Sequence, residues 1–134
     1  MKRVFTLLCI GFLSFYANAQ EFKFEEEIID YGEIEQDSNG EKTFVFTNIG
    51  DKPLIIEKAK SSCGCTVPEK PEKPVLPGEK GEIKVSYNTH RIGVFYKSIT
   101  LTSNTTDKIK VIKIKGVVKK PLSLEKENSL LKEK

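Results

Sequence analysis

Apolar residues in this chain alternate with polar ones over short stretches, and this period of two constrains the fold more than any other sequence feature. The clearest stretch is Glu41–Asn48 (EKTFVFTN), in which Phe44 and Phe46 share one face and the residues between and beside them share the other. Successive side chains of a strand point to opposite faces. The pattern therefore predicts a strand that places Phe44 and Phe46 in the core.

Similar segments recur along the chain with turn signals between them. The further strand-like segments are residues 54–58, 82–88, 95–103 and 108–118, with one or two short strands within 22–34. Turn-forming runs separate them, namely NIGD after residue 47, PGEKG before 82 and NTTD after 103. No ten-residue helical pattern appears between these segments. The sequence therefore predicts an all-β fold, an antiparallel immunoglobulin-like β-sandwich of about seven strands.

The last predicted strand changes phase along its length. Ile109 and Val111 share one face, whereas Ile112 and Ile114 take the opposite one. A β-bulge near 111–112 would turn all four inward. The alternative is that the apolar pairs are buried on both faces of the strand, and the sequence leaves the two interpretations open.

Opposite charges collect at the two ends of the predicted domain. The first segment is acidic (Glu25, Glu26, Glu27, Asp30, Glu33, Glu35), and the last strand is rich in lysine (Lys108, Lys110, Lys113, Lys115). If the first and last strands are neighbours, these charges face each other and help to fix the pairing. Two separately solvated faces are the alternative.

Prolines recur at every third position in one segment, at Pro68, Pro71, Pro74 and Pro77. This period matches the three residues per turn of a polyproline II helix. The segment is predicted to be a stiff strap across one face of the sandwich. A spacer is a commoner role for such a segment than a ligand for an aromatic groove.

The N-terminus has the pattern of a secretory signal peptide. Lys2 and Arg3 precede an apolar stretch at 4–16, and Ala17 and Ala19 supply the small residues that a signal peptidase reads. Cleavage after Ala19 would make Gln20 the first residue. The predicted organisation is a signal peptide at 1–19, the sandwich domain at 20–120 and a charged C-terminal tail at 121–134, with no transmembrane segment after cleavage. The protein is expected to be exported, either periplasmic or secreted.

The balance of charge argues against nucleic acid as a partner. Removal of Lys2 and Arg3 lowers the formal net charge of +3 by two, to about +1. The remaining chain, roughly 115 residues, is long enough for one domain with its own core. The tail is predicted either as a short helix or as a loose segment.

Several short motifs resemble those of the DUF1573 family, small bacterial exported proteins of unknown function. They are residues 30–34 (DYGEI), 46–50 (FTNIG), 53–54 (PL), 61–66 (SSCGCT), 77–79 (PGE) and 103–104 (SN). The resemblance covers roughly residues 24–118, and the SCGCT run is its most specific part. It implies an immunoglobulin-like fold similar to ASH and major-sperm-protein domains and to pilus chaperones. It implies no activity.

The chemistry worth weighing lies at Cys63-Gly64-Cys65, because Cys9 would leave with the signal peptide. Two cysteines separated by one residue need a sharp turn to form a disulfide, which Gly64 would permit. One hypothesis is a structural disulfide or simple packing, which we favour. A second is a copper or zinc site completed by His90, the sole histidine. A third is thiol–disulfide exchange.

Other catalytic signatures are absent from the sequence. It contains no G-x-S-x-G, no H-E-x-x-H, no glycine-rich phosphate loop and no second histidine. We therefore predict a protein that is not an enzyme and needs no cofactor. The expected function is a protein-binding or structural module of the cell envelope whose partner the sequence does not name.

Overall fold

The computed structural model describes residues 21–132, without the side chains of residues 124–128. The predicted signal peptide lies outside these residues. The described elements are β1 (Phe22–Phe24), β2 (Ile28–Glu35), β3 (Glu41–Asn48), β4 (Ile56–Ser61), β5 (Thr66–Glu69), β6 (Lys80–Tyr87), β7 (Gly93–Ser103), β8 (Ile109–Lys119) and α1 (Leu122–Leu131). The all-β prediction is confirmed, with eight strands in place of about seven. Of the two forms predicted for the tail, the helix is the one observed.

The strands form two four-stranded sheets, one in the order β1-β3-β6-β5 and the other in the order β2-β8-β7-β4. All neighbouring strands are antiparallel except β2 and β8, which run parallel. Between β1 and β2 the chain passes from the first sheet to the second, and β2 then lies beside the last strand. The sandwich is therefore immunoglobulin-like with one parallel pair at the edge of its second sheet.

The core lies between the two sheets and contains the apolar faces that the sequence predicted. Phe44 and Phe46 are buried, as are Ile83 and Val85 of the neighbouring β6. The ring of Phe22 packs edge-on against that of Phe46, with 5.5 Å between their centroids. The prediction that Phe44 and Phe46 face inward is confirmed.

Both interpretations of the phase change in β8 are wrong. β7 and β8 pair without a register shift from Ile109 to Val118, so there is no bulge on this side of β8. Ile112 and Ile114 are fully buried, whereas Ile109 and Val111 remain exposed on the outer face. The regular ladder fixes the alternation, and so the pattern of the last strand leaves two apolar side chains in solvent.

The irregularity in this sheet lies on β2 instead. Its pairing with β8 shifts between Asp30 and Glu33, with one extra residue on β2. Gly32 takes up the shift with φ of +63°, a conformation that favours glycine. The DYGEI motif therefore encodes a β-bulge.

The opposite charges of the first and last segments do pair. Lys110, Lys115 and Lys119 on β8 contact the carboxylates of Glu27, Asp30 and Glu33, respectively. The Lys115–Asp30 contact is 3.3 Å long. The pairs are solvent-exposed, so each contributes little to stability, but together they favour this register over its neighbours.

The predicted proline strap does not form as one continuous helix. Pro68 lies within β5, an edge strand, and Val75 pairs with Leu54 through two backbone hydrogen bonds of 2.8 and 2.9 Å. Val75 and Leu54 are both buried. Backbone pairing and burial thus override the three-residue period of the prolines. Within residues 21–132, no helix is long and apolar enough to cross a membrane.

Candidate functional site

The Cys63-Gly64-Cys65 segment lies where the chain crosses from one sheet to the other. It follows β4 and leads directly into β5. Cys63 and Cys65 are joined by a disulfide, with 5.4 Å between their Cα atoms. The loop is therefore a crossover at one end of the sandwich.

Backbone hydrogen bonds fix this crossover to its surroundings on both sides. The Ser62 N–H donates to the carbonyl oxygen of Ser98 on β7, at 2.9 Å. The Asn88 N–H donates to the carbonyl oxygen of Cys65, at 2.8 Å. Cys65 is buried in the core, whereas Cys63 is only half-buried. The two sulfurs thus differ in their access to solvent.

Polar groups surround the two sulfur atoms. The Cys65 N–H lies 3.3 Å from the Sγ atom of Cys63 and donates to it. The hydroxyl of Thr66 lies 3.9 Å from the Sγ atoms of both cysteines. Thr66 is 3% exposed, so this hydroxyl is inside the protein.

Gly64 is not required by the geometry of the turn. Its φ lies outside the left-handed region, and no atom lies within 4 Å of the position that a Cβ would occupy. Gly64 permits the turn that the disulfide needs, but the backbone there does not depend on glycine. Its neighbourhood is open to solvent.

His90 does not join the cysteines in a ligand set. Its loop lies beside the crossover, because the Asn88 N–H donates to the carbonyl oxygen of Cys65. However, the Nδ1 atom of His90 is 2.9 Å from the Asp37 carboxylate and the side chain is largely exposed. Among the residues that the structure describes, no group of three histidine, cysteine, aspartate or glutamate side chains could hold a metal ion.

A second candidate site lies at one end of the outer face of the β2-β8-β7-β4 sheet. Val94 projects from it with 82% of its surface exposed, and Tyr96 follows on the same face. Two hollows of about 750 and 380 Å³ share Glu33, Val94 and Val117 in their walls. We call this patch the Val94 surface. It comprises the side chains of Ile92, Val94, Tyr96, Val117 and Leu122.

Sequence reasoning missed the Val94 surface although its signal was present. In β7, Phe95 is buried, so the alternation places Val94 and Tyr96 outside. Contiguous exposed apolar side chains, such as those of the Val94 surface, form the type of patch that marks interaction sites. The Lys113 Nζ lies over the Tyr96 ring, 5.5 Å from its centroid, and adds a positive charge to the edge of the patch.

The motif residues outside the cysteine loop are mostly structural. The Asn104 side chain accepts a hydrogen bond from the Ile55 N–H and donates one to the Pro53 carbonyl oxygen. The Tyr31 hydroxyl donates to the carbonyl oxygen of Gly40, at 2.9 Å. These contacts tie loops to strands, so they account for a family signature without a catalytic role.

The same signature is matched by a family model described as "Protein of unknown function (DUF1573)", over residues 22–118. The chain belongs to this family. The DUF1573 match covers all eight strands except the last residue of β8 and leaves out α1. A comparison with curated protein sequences found no match.

Several solved structures share the fold of this DUF1573 protein. A protein of unknown function from Porphyromonas gingivalis matches 80% of the chain at 13% identity with a TM-score of 0.65, and the match spans only 51% of its length. The ASH/PapD-like domain of human CEP192 matches 78% at 7% identity, with a TM-score of 0.59 over 89% of that domain. A CsuC–CsuE chaperone–tip adhesion subunit complex from Acinetobacter baumannii matches 74% at 11% identity, with a TM-score of 0.55 over 57% of the matched chain. At these identities the likeness concerns the fold alone.

Proposed function

We propose that this protein is an exported module of the cell envelope that binds a protein partner through the Val94 surface. The observation that carries the proposal is the exposure of Val94 between two hollows. Apolar side chains that project from a rigid sheet, with hollows on either side, suit the burial of a partner's apolar side chains.

The sheet edges are less suited to binding a partner strand. β1 has three residues, and β5 has four, one of which is Pro68. β2 carries the bulge at Gly32, and β4 carries a register shift near Lys58 together with two exposed lysines. Short strands, proline, bulges and lysine are the features that protect edges from pairing. A face is therefore the better binding surface.

A structural neighbour supports a binding role. It comes from a pre-assembly complex between a chaperone and a tip adhesion subunit, so a sandwich of this type can take part in a protein complex. Sandwiches of one fold carry many unrelated functions, so the exposed side chains of the Val94 surface are stronger support for binding than the likeness to this neighbour.

The export part of the proposal is tested by the mass of the native protein. A chain that begins at Gln20 is expected in the envelope fraction. Replacement of the small residue before the cut, Ala19→Arg, should block cleavage and leave the full-length chain. Native protein that retains residues 1–19 and stays in the cytoplasm would contradict export.

The binding part is tested by co-purification from the organism's own envelope with two matched variants. Val94→Glu places a charge on the proposed surface, and Val67→Glu places one on an exposed valine of β5 in the other sheet. A specific partner should remain with wild type and Val67→Glu and be lost with Val94→Glu. If both variants retain the partner while both fold normally, the Val94 surface is not the binding site.

A further inference from the structure

The buried hydroxyl of Thr66 has an unusual set of partners. Among the described residues, its hydrogen-bond partners are the Sγ atoms of Cys63 and Cys65, each at 3.9 Å. The residue is 3% exposed, so its hydroxyl is largely removed from bulk solvent. A hydroxyl taken out of water without a good acceptor costs stability, and a valine of the same shape would avoid this cost.

The strength of the hydrogen bond from this hydroxyl depends on whether the sulfurs form a disulfide or are thiolates. A sulfur in a disulfide is a weak acceptor, whereas a thiolate is charged and accepts a much stronger hydrogen bond. The backbone N–H of Cys65 would also bind a thiolate more strongly than a disulfide sulfur, because it donates to the Sγ atom of Cys63 at 3.3 Å. Both donors are thus placed where negative charge develops when the disulfide opens.

We propose that the Cys63–Cys65 disulfide undergoes thiol–disulfide exchange with a dithiol of another protein, with Thr66 as the residue that stabilises the departing thiolate. This function is separate from binding at the Val94 surface and does not rest on it. It assigns the most specific motif of the chain, SCGCT, to a reaction of the crossover loop.

The reaction begins at the more accessible sulfur. A thiolate of the dithiol attacks the Sγ atom of half-buried Cys63, the sulfur–sulfur bond breaks, and its electron pair goes to the Sγ atom of Cys65. The Thr66 hydroxyl donates to that thiolate. Gly64 leaves the approach open, since the space where a Cβ would lie is empty.

A second step completes the exchange. The second thiolate of the dithiol attacks the sulfur that the dithiol contributed to the mixed disulfide. This releases the Cys63 thiolate, which accepts a hydrogen bond from the N–H of Cys65. The dithiol becomes a disulfide, and the cysteine pair takes up its two electrons and two protons. No other oxidant takes part.

The test uses the oxidised mature protein, identified by a mass two hydrogens below that of the dithiol form. The rate of its reduction by dithiothreitol is measured for wild type and for Thr66→Val, which keeps the shape and removes the hydroxyl. We expect reduction of Thr66→Val to be about tenfold slower. Thr66→Ser should retain most of the rate, and Thr106→Val, in an exposed loop, should match wild type.

Two outcomes would overturn the proposal. The first is equal rates for wild type and Thr66→Val. The second is a dithiol peptide that wild-type protein leaves reduced although glutathione disulfide oxidises it. Single variants provide a further check on direction: with an aromatic disulfide, the cysteine left in Cys65→Ser should react much faster than the one left in Cys63→Ser, and equal rates would exclude attack at Cys63.

Discussion

The side-chain amide of Asn48 donates a hydrogen bond of 2.8 Å to the carbonyl oxygen of Val75, and the whole Asn48 side chain is buried. The same amide donates to the carbonyl oxygen of Lys52, while its Oδ1 atom accepts the N–H of Gly50. Asn48 therefore joins the end of β3 to the proline-containing segment and to the following turn. This explains why the FTNIG motif has a polar residue where the alternation predicts burial.

Asn48→Ala should lower the free energy of unfolding by about 3 kcal/mol, because a fully buried side chain loses three hydrogen bonds. Chemical denaturation measures this change. Asn39→Ala, which removes an exposed hydrogen bond to the Glu41 N–H, is the matched control and should cost under about 1 kcal/mol. Equal effects of the two substitutions would mean that the buried hydrogen bonds of Asn48 do not stabilise the fold.

Phe46→Ala should cost roughly 3 to 5 kcal/mol, because the ring is fully buried and its loss leaves a cavity. The ring also packs against the rings of Phe22 and Phe24, so β1 should loosen with it. Val45→Ala on the opposite face of β3 should cost much less. A loss well under about 1 kcal/mol for Phe46→Ala would contradict the assignment of this face to the core.

Alternation was sufficient to predict most strands and the core, because a regular ladder fixes which side chains point inward. Alternation did not predict the pairing or the burial of residues whose position is set by contacts with other segments. Val75 pairs with Leu54 although its neighbours follow the period of a polyproline helix, and Val111 stays exposed although it is apolar. The Leu54–Val75 bridge decides the first outcome, and the regular ladder between β7 and β8 decides the second. Neither pairing can be read from the local pattern of apolar residues.

The candidate sites could be predicted only in part. The sequence pointed to Cys63 and Cys65, but nothing in it shows that the hydroxyl of Thr66 is buried beside their sulfurs. It also offered His90 as a ligand, although the Asp37 carboxylate that contacts the ring is 53 residues away along the chain. Contacts between such distant positions depend on the tertiary fold.

Tyr31 should ionise only at high pH. Burial raises the pKa of its phenol to about 12, against an ordinary value of 10, because the charged form is poorly solvated. The stability that follows from this shift is complete below pH 10 and is lost as pH rises from 10 to 12. Absorbance titration of tyrosinate should show a late-ionising group in wild type that is missing in Tyr31→Phe; an unchanged titration in the variant would refute the assignment.

Gly64→Ala should fold normally and form the disulfide, because the backbone does not use a left-handed conformation there and the Cβ meets no atom. The change in unfolding free energy should be within about 0.5 kcal/mol. Gly32→Ala is the contrasting variant, since Gly32 has φ of +63° in the bulge of β2, and it should cost about 1 kcal/mol or more. Equal costs for the two variants would show that the crossover turn also needs glycine.

The central claim, that a partner protein covers the Val94 surface, is tested most directly by site-specific photo-crosslinking in the intact envelope. A photoreactive residue at position 94 should yield one discrete adduct, and Tyr96→Glu in the same chain should abolish it. The same photoreactive residue at position 67, on an exposed valine of the other sheet, should yield no such adduct. No adduct from position 94, or the same adduct from positions 94 and 67, would contradict binding at the Val94 surface.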